Sequence, residues 1–244
     1  MTWIDGPLLG FDTETTGVNP FRDRIVTAAL VGRGKHGTEE RTWLINPGVE
    51  IPEQAAAIHG ISTEHARGHG MDPRVALREI SNELTAAFSR NIPVVAYNAA
   101  FDLTIIEREL ERHRLPTIGE RLGRPLAPVL DPLVIDRGVD RYRKGKRKLV
   151  DLCGHYGVQE SGALHTADVD VAATLDVLAA QAQVHPQIIE RSLVELHGWQ
   201  SAKHREWAAG FNEWRARQGL DGPGAGLEWP LHTVEEGSPT AKTA

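Results

Sequence analysis

Two carboxylates two residues apart, Asp12 and Glu14, follow directly on the apolar run Pro7-Leu8-Leu9-Gly10-Phe11. Such a run predicts a β-strand. Side chains alternate between the faces of a strand, so both acids emerge side by side on one face. Two negative charges on a buried strand are tolerated only where a cation compensates them. Hard divalent ions such as Mg²⁺ prefer carboxylate oxygens. The stretch therefore reads as half of a metal site, and the rest of the chain has to supply the other half.

The chain is long enough for one sizeable domain, with or without a tail: 244 residues, 41% of them hydrophobic. With 27 basic against 33 acidic residues its net charge is −6, so attraction to a polyanion has to come from a local patch. The single cysteine, Cys153, excludes an internal disulfide framework and a multi-cysteine zinc site, and it suits a reducing cytoplasm, the expected location. Cys153 itself is expected as a small buried apolar residue. No signal peptide or membrane-spanning stretch is expected, and no membrane partner.

Residues 8–13, 25–31 and 41–45 read as three successive strands, a pattern that predicts an antiparallel meander. A short helix is expected over 53–58 and a longer one over 73–89, where Leu77, Ile80, Leu84 and Phe88 recur at spacings of three and four. Residues 93–97 fit a buried strand, 101–114 a helix, and Val129-Leu130 a last short strand. Further helices are expected over 148–156, 166–182 and 188–217. Glycine and proline take over from Gly219. The chain thus divides into a catalytic domain at 1–185, a helical extension at 186–218 and a tail at 219–244 expected to be disordered. Strands first, then strands alternating with helices, predict an α/β fold with a mixed sheet flanked by helices. Ligands favour the carboxyl ends of strands in such sheets, where Asp12 and Glu14 lie.

More acids stand at suggestive places. Asp102 follows the corner Asn98-Ala99-Ala100-Phe101, Asp131 follows the last short strand, and His165 precedes a helix carrying Asp168 and Asp170. Each alone reads as a turn or cap residue. Together, in the order Asp-x-Glu, Asn-x-x-Phe-Asp and His-x-x-x-x-Asp, they resemble the DEDDh 3′–5′ exonucleases, the family that includes the proofreading epsilon subunit of bacterial DNA polymerase III. Ile58-His59-Gly60-Ile61 and Lys148 to Cys153 resemble further segments of that family, and the resemblance extends over about residues 7–180.

The resemblance implies a ribonuclease H-like mixed five-stranded sheet whose first three strands are antiparallel. It also implies Asp12, Glu14, Asp102 and Asp170 as ligands of two Mg²⁺ or Mn²⁺ ions, with His165 as general base. Asp168 is expected as a surface or first-turn acid, and Asp131 as no more than a support for the ligands. Thr15, Thr16, Gly17, His59, Asn98 and Phe101 are expected to contact the terminal nucleotide. Tyr97 departs from the family, whose epsilon-like members often carry histidine there. The reaction implied is release of nucleoside 5′-monophosphates from single-stranded or frayed DNA 3′ ends, of proofreading or repair type. The alternatives are an RNA-trimming exoribonuclease of the same family and an inactive binding module docked on a polymerase. A polymerase or another replication or repair protein is the expected class of protein partner.

Three features lie outside these motifs. Six of the eight residues from Arg141 to Lys148 are basic, either a solvated loop or, through Arg141, Arg143, Lys144 and Lys146, a phosphate contact. Trp207, Phe211 and Trp214 share one helix face, read as packing ahead of docking. His59, His65 and His69 lack the spacing and the fourth ligand of a zinc site.

Overall fold

The apolar runs of the N-terminal third form strands β1 (Leu8–Thr15), β2 (Ile25–Gly34) and β3 (Gly37–Leu44), paired antiparallel in sequence. The computed structural model describes residues 2–35, 37–159, 166–222 and 224–232. Helices α1 (Glu53–His59), α2 (Thr63–His69) and α3 (Pro73–Ser89) lead to β4 (Val94–Val95), which joins β1 in parallel. Then come α4 (Ala99–Arg112), α5 (Ile118–Leu122) and β5 (Val129–Leu130), parallel to β4. Helices α6 (Pro132–Val139), α7 (Leu149–Tyr156), α8 (Ala167–Val184) and α9 (Leu193–Arg217) complete the order. The sheet order is β3-β2-β1-β4-β5, the mixed five-stranded arrangement expected of a ribonuclease H-like fold.

Alternation along β1 sets the layers. Leu9 and Phe11 face a core built with Leu77, Ile80, Leu84 and Phe88 of α3 and Leu103 and Ile106 of α4. Leu8 faces the opposite side, with Val171, Leu175 and Leu178 of α8. Gly10 lies on that side too. A Cβ there would overlap Val171 Cγ1 and stand 3.1 Å from Leu175 Cδ1, so only glycine lets α8 lie this close to β1. Cys153 is buried as expected.

Three short helices were not expected, and each begins on a local cap. Ser62 accepts from the His65 N–H to start α2, Thr117 and Glu120 form a capping box on α5, and Asp131 with Pro132 opens α6. They are too short to show a hydrophobic period. Helix α9 begins at Leu193 rather than 188, because Ser192 and Glu195 form its capping box.

The edge of β5 is closed by α9 instead of by another strand. Val129 donates its N–H to His197 Nδ1 at 3.2 Å, and Asp131 donates its N–H to Gln200 Oε1 at 2.7 Å. Gln200 Nε2 in turn donates to the Val129 carbonyl at 3.0 Å, from a side chain with no exposed surface. One glutamine thus occupies a donor and an acceptor that an unpaired edge leaves open. Residues 224–232, expected to belong to a disordered tail, run back over the body. Trp229 is buried in the α3–α4 core, and His232 donates its N–H to Thr104 Oγ1 at 2.9 Å. Burial of an indole outweighs the local glycine and proline content. The rest of that expectation, 233–244, lies outside the described residues.

Candidate active site

Strand alternation puts Asp12 and Glu14 on the α8 side of β1, and the close approach at Gly10 brings the first turn of α8, with Asp170, down to meet them. Oxygens of Asp12, Glu14 and Asp170 lie within 4.8 Å of one another. Among the described residues, this is the one group of three or more acids, histidines or cysteines with ligand atoms in that range, and the His59, His65, His69 trio forms none. Burial holds the Asp12 carboxyl well above the usual range, with Asp102, Asp170 and Glu14 adding repulsion. Glu14 is pushed up to about 7 by burial, then by Asp170 and Asp102. No lysine or arginine pairs with either residue among the described ones. Three clustered hard oxygen donors, of which Asp12 and Glu14 have no paired lysine or arginine among the described residues, fit a divalent ion.

Asp102 stands one layer back. It is buried in the first turn of α4, and both the Thr13 N–H (3.0 Å) and the Thr13 hydroxyl (2.6 Å) donate to its Oδ1. Burial raises its carboxyl to about 7 against these two bonds. Thr13 points to the α4 side because its neighbours Asp12 and Glu14 point to the α8 side. The residue between the two acids thus ties a third acid to them.

Asp131 fixes the corner that carries Asp102. Its carboxylate accepts from the Asn98 N–H (3.1 Å), the Ala99 N–H (2.9 Å) and the Leu133 N–H (2.9 Å), so it holds the first turns of both α4 and α6. Asn98 is exposed and left-handed (φ 58°), a conformation that asparagine tolerates better than most residues. Tyr97, the departure from the family pattern, donates its hydroxyl to the Arg147 carbonyl at 2.6 Å and anchors the basic loop.

The expected substrate contacts separate into groups. The Thr15 hydroxyl donates to the Gly17 carbonyl at 2.6 Å, and the Thr16 hydroxyl to Asp23 Oδ1 at 3.0 Å, so both are engaged within their own loop. A Cβ on Gly17 would meet the Asp23 carboxylate at 2.6 Å, so Asp23 shapes this turn as well. His59 is buried, its Nδ1 accepts from the Ile61 N–H at 3.2 Å, and its Nε2 has no hydrogen-bond partner. Burial lowers its pKa against a contact with the Thr15 backbone, which places the ring, with Nε2 enclosed, beside the loop after β1. Phe101 packs against the α3–α4 core. Arg143 turns inward: its side chain is 10% exposed and, with Arg147, it binds the fully buried Asp136. Arg141 pairs with Glu206 on α9, while Lys144 and Lys146 are exposed. His165 lies outside the described residues.

Gly10, Thr13, Asp23 and Asp136 were not expected to matter. An isolated glycine within an apolar strand is a legible sign of close approach. The roles of the other three depend on partners distant in sequence or hidden among many acids.

The family model described as exonuclease (RNase_T) matches residues 9–178. The chain is 30% identical over 166 residues to the PolC-type DNA polymerase III of Streptococcus thermophilus, covering 67% of this chain and 10% of that protein. It is 29% identical over 176 residues to the DNA polymerase III epsilon subunit of Rickettsia conorii, covering 68% and 69%. An exonuclease of Escherichia phage 186 is 29% identical over 185 residues, covering 74% and 91%. Among solved structures, E. coli Exonuclease I in complex with a dT13 oligonucleotide aligns with TM-score 0.62 and 20% identity, over 76% of this chain and 43% of that one. Exonuclease X in complex with 5′-overhanging duplex DNA aligns with TM-score 0.57 and 18% identity, over 79% and 99%. The chain therefore spans about a tenth of the PolC-type polymerase and less than half of Exonuclease I.

Proposed function

Since the chain belongs to the exonuclease family, we propose that it is a two-metal 3′–5′ exonuclease that removes nucleoside 5′-monophosphates from single-stranded or frayed DNA ends. The observation that carries this reading is the convergence of Asp12, Glu14 and Asp170 oxygens within 4.8 Å, without a protein cation on Asp12 or Glu14. These three residues would hold Mg²⁺ or Mn²⁺, with Asp102 completing the set from behind Thr13. Bound there, the ions supply neutralisation of the phosphate and acidification of the attacking water.

The chain's own groups do the rest. Thr13 keeps Asp102 oriented by two hydrogen bonds to one oxygen, which leaves Oδ2 turned to other partners. Asp131 fixes the helix start that carries Asp102. Histidine's ordinary pKa of about 6.5 suits His165 to take the proton of the attacking water at neutral pH. The exposed Asn98 is a polar group offered to the terminal nucleotide, and the buried His59 ring stands beside the loop that would hold it. The DNA polymerase III epsilon-subunit relative supports DNA as substrate and a replication or repair partner. No helix among the described residues is long and apolar enough to cross a membrane.

The test is a 5′-labelled DNA or RNA strand incubated with Mg²⁺ or Mn²⁺. The expected result is a ladder that shortens from the 3′ end, is faster on DNA, and disappears in EDTA and in Asp12→Asn. Shortening from the 5′ end, or an undiminished ladder in EDTA, refutes the mechanism.

A further inference from the structure

Two sequence features take no part in the chemistry above: the basic run and the aromatic stripe of α9. The fold sets them side by side. Arg141 pairs with Glu206 on α9, and a Cβ on Gly210 would stand 4.0 Å from the Arg141 guanidinium. The other end of the basic loop is tied to the acid site, through the bond from Tyr97 to the Arg147 carbonyl beside the Asn98 corner. The loop between these ties is held firmly by Arg143 and Arg147 on Asp136. It therefore bridges the acid cluster and α9.

The surface at the far end of that bridge has a definite character. Trp207 and Phe211 stack at 5.5 Å and 15°, and Phe211 and Trp214 at 5.8 Å and 27°. Arg137 lies 3.5 Å over the Trp207 ring and Arg215 5.9 Å from Phe211. Tyr142, on the loop, is 86% exposed with Arg141 5.8 Å from its ring, and Trp214 is 46% exposed. The stripe packs at its Trp207 end and opens toward Trp214. Rings interleaved with guanidinium groups form a platform on which bases stack without sequence preference. A protein-docking face of this size would expose a continuous apolar patch, whereas here cations interrupt the rings. In a chain of net charge −6, exposed Lys144 and Lys146 supply the local attraction that a phosphate backbone needs.

We propose that Tyr142, Trp207, Phe211 and Trp214, with Lys144 and Lys146, form a track for the single strand upstream of the nucleotide being removed. The proposal rests on the exonuclease reading, because the acid cluster must be where the strand ends. The track holds several bases at once, so it favours long strands over short ones.

The experiment measures affinity of the full chain, carrying Asp12→Asn to prevent cutting, for a trinucleotide and for an oligothymidylate of about 20 nucleotides. The Tyr142→Ala/Trp214→Ala pair, both at exposed positions, is expected to reduce the preference for the long strand by about tenfold or more. Trp214→Phe is expected to restore most of its share. Lys144→Gln/Lys146→Gln is expected to lower the log–log salt slope of long-strand binding by about 1.4. A length preference equal to wild type in the aromatic pair overturns the track. So does self-association of the wild type in sedimentation that the aromatic pair abolishes with strand affinity intact, which identifies a protein interface instead. Cleavage of the oligothymidylate by the unmodified chain is measured alongside. Its absence counts against the exonuclease reading, and its presence with an unaltered length preference counts against the track alone.

Discussion

A lone buried carboxylate and a crowded group of them sit near the carboxyl ends of the parallel strands, and they are handled in opposite ways. Asp136 has no exposed surface, yet Arg143, Arg147 and the Tyr156 hydroxyl (2.8 Å) all converge on it. Asp12 and Glu14 are crowded against Asp170 with no lysine or arginine beside them among the described residues, and burial pushes both upward. The chain neutralises the first itself. It leaves the second to whatever binds there. A buried acid surrounded by fixed cations is a fastener, and one surrounded by other acids is a receptor for a cation from solution.

The sharpest way to break the comparison is to neutralise one acid at each place. Asp12→Asn is expected to slow single-turnover cleavage by about a thousandfold or more, the scale of losing a transition-state charge partner. Its metal-free melting temperature should hold or rise, since a repulsion is removed. Asp136→Asn should do the reverse, lowering stability by about 3 kcal/mol by leaving two largely buried guanidinium groups without their anion. If Asp136→Asn melts like wild type, or Asp12→Asn melts much lower, the distinction between fastener and receptor fails.

A smaller effect is expected at Gly10. Gly10→Ala pushes α8 from β1 and should reduce stability by about 1–3 kcal/mol. Activity should fall with it, because Asp170 rides on α8 one residue before Val171, the side chain displaced. Adding Val171→Ala should return part of both; thermal melts and cleavage rates of the single and double variants decide this.

A pH effect is expected as well. Glu14 and Asp102 are each pushed up to about 7 in the folded chain. Carboxyls of the unfolded chain titrate near pH 4. Between about pH 4 and 7 the folded state therefore binds the extra protons, and metal-free stability falls as pH rises through that window. Glu14→Gln should flatten the fall, and Mg²⁺ should cancel it. Melting curves in EDTA at pH 5 and 7.5 that change identically in wild type and Glu14→Gln would contradict the assignment. At the bottom of the scale, Arg141→Ala removes a solvent-exposed pair with Glu206 and should change stability by no more than about 0.5 kcal/mol.

What was legible in the chain was what has a local pattern. The strand meander, the long periodic helices α3, α4 and α8, and the alternation that sets Asp12 beside Glu14 all follow from spacing. The basic run shows the limit. Arg143 was expected at a phosphate, and charge alone cannot tell a solvated arginine from one that turns inward to an acid seven residues earlier. Thr13 and Asp102 are 89 residues apart, and nothing near either names the other. The tail was misjudged for a related reason: glycine and proline describe the backbone, while the fate of residues 224–232 is decided by one tryptophan that finds a place in a distant core.

The closure of β5 by α9 has a consequence for how this protein may be divided. The family model ends at residue 178, yet the strand beside the active site takes its outer partners from His197 and Gln200. The segment that the family model spans and the segment that closes the sheet edge have different lengths. A version trimmed to the shared motifs would keep every acid and bare one side of the scaffold that aims them.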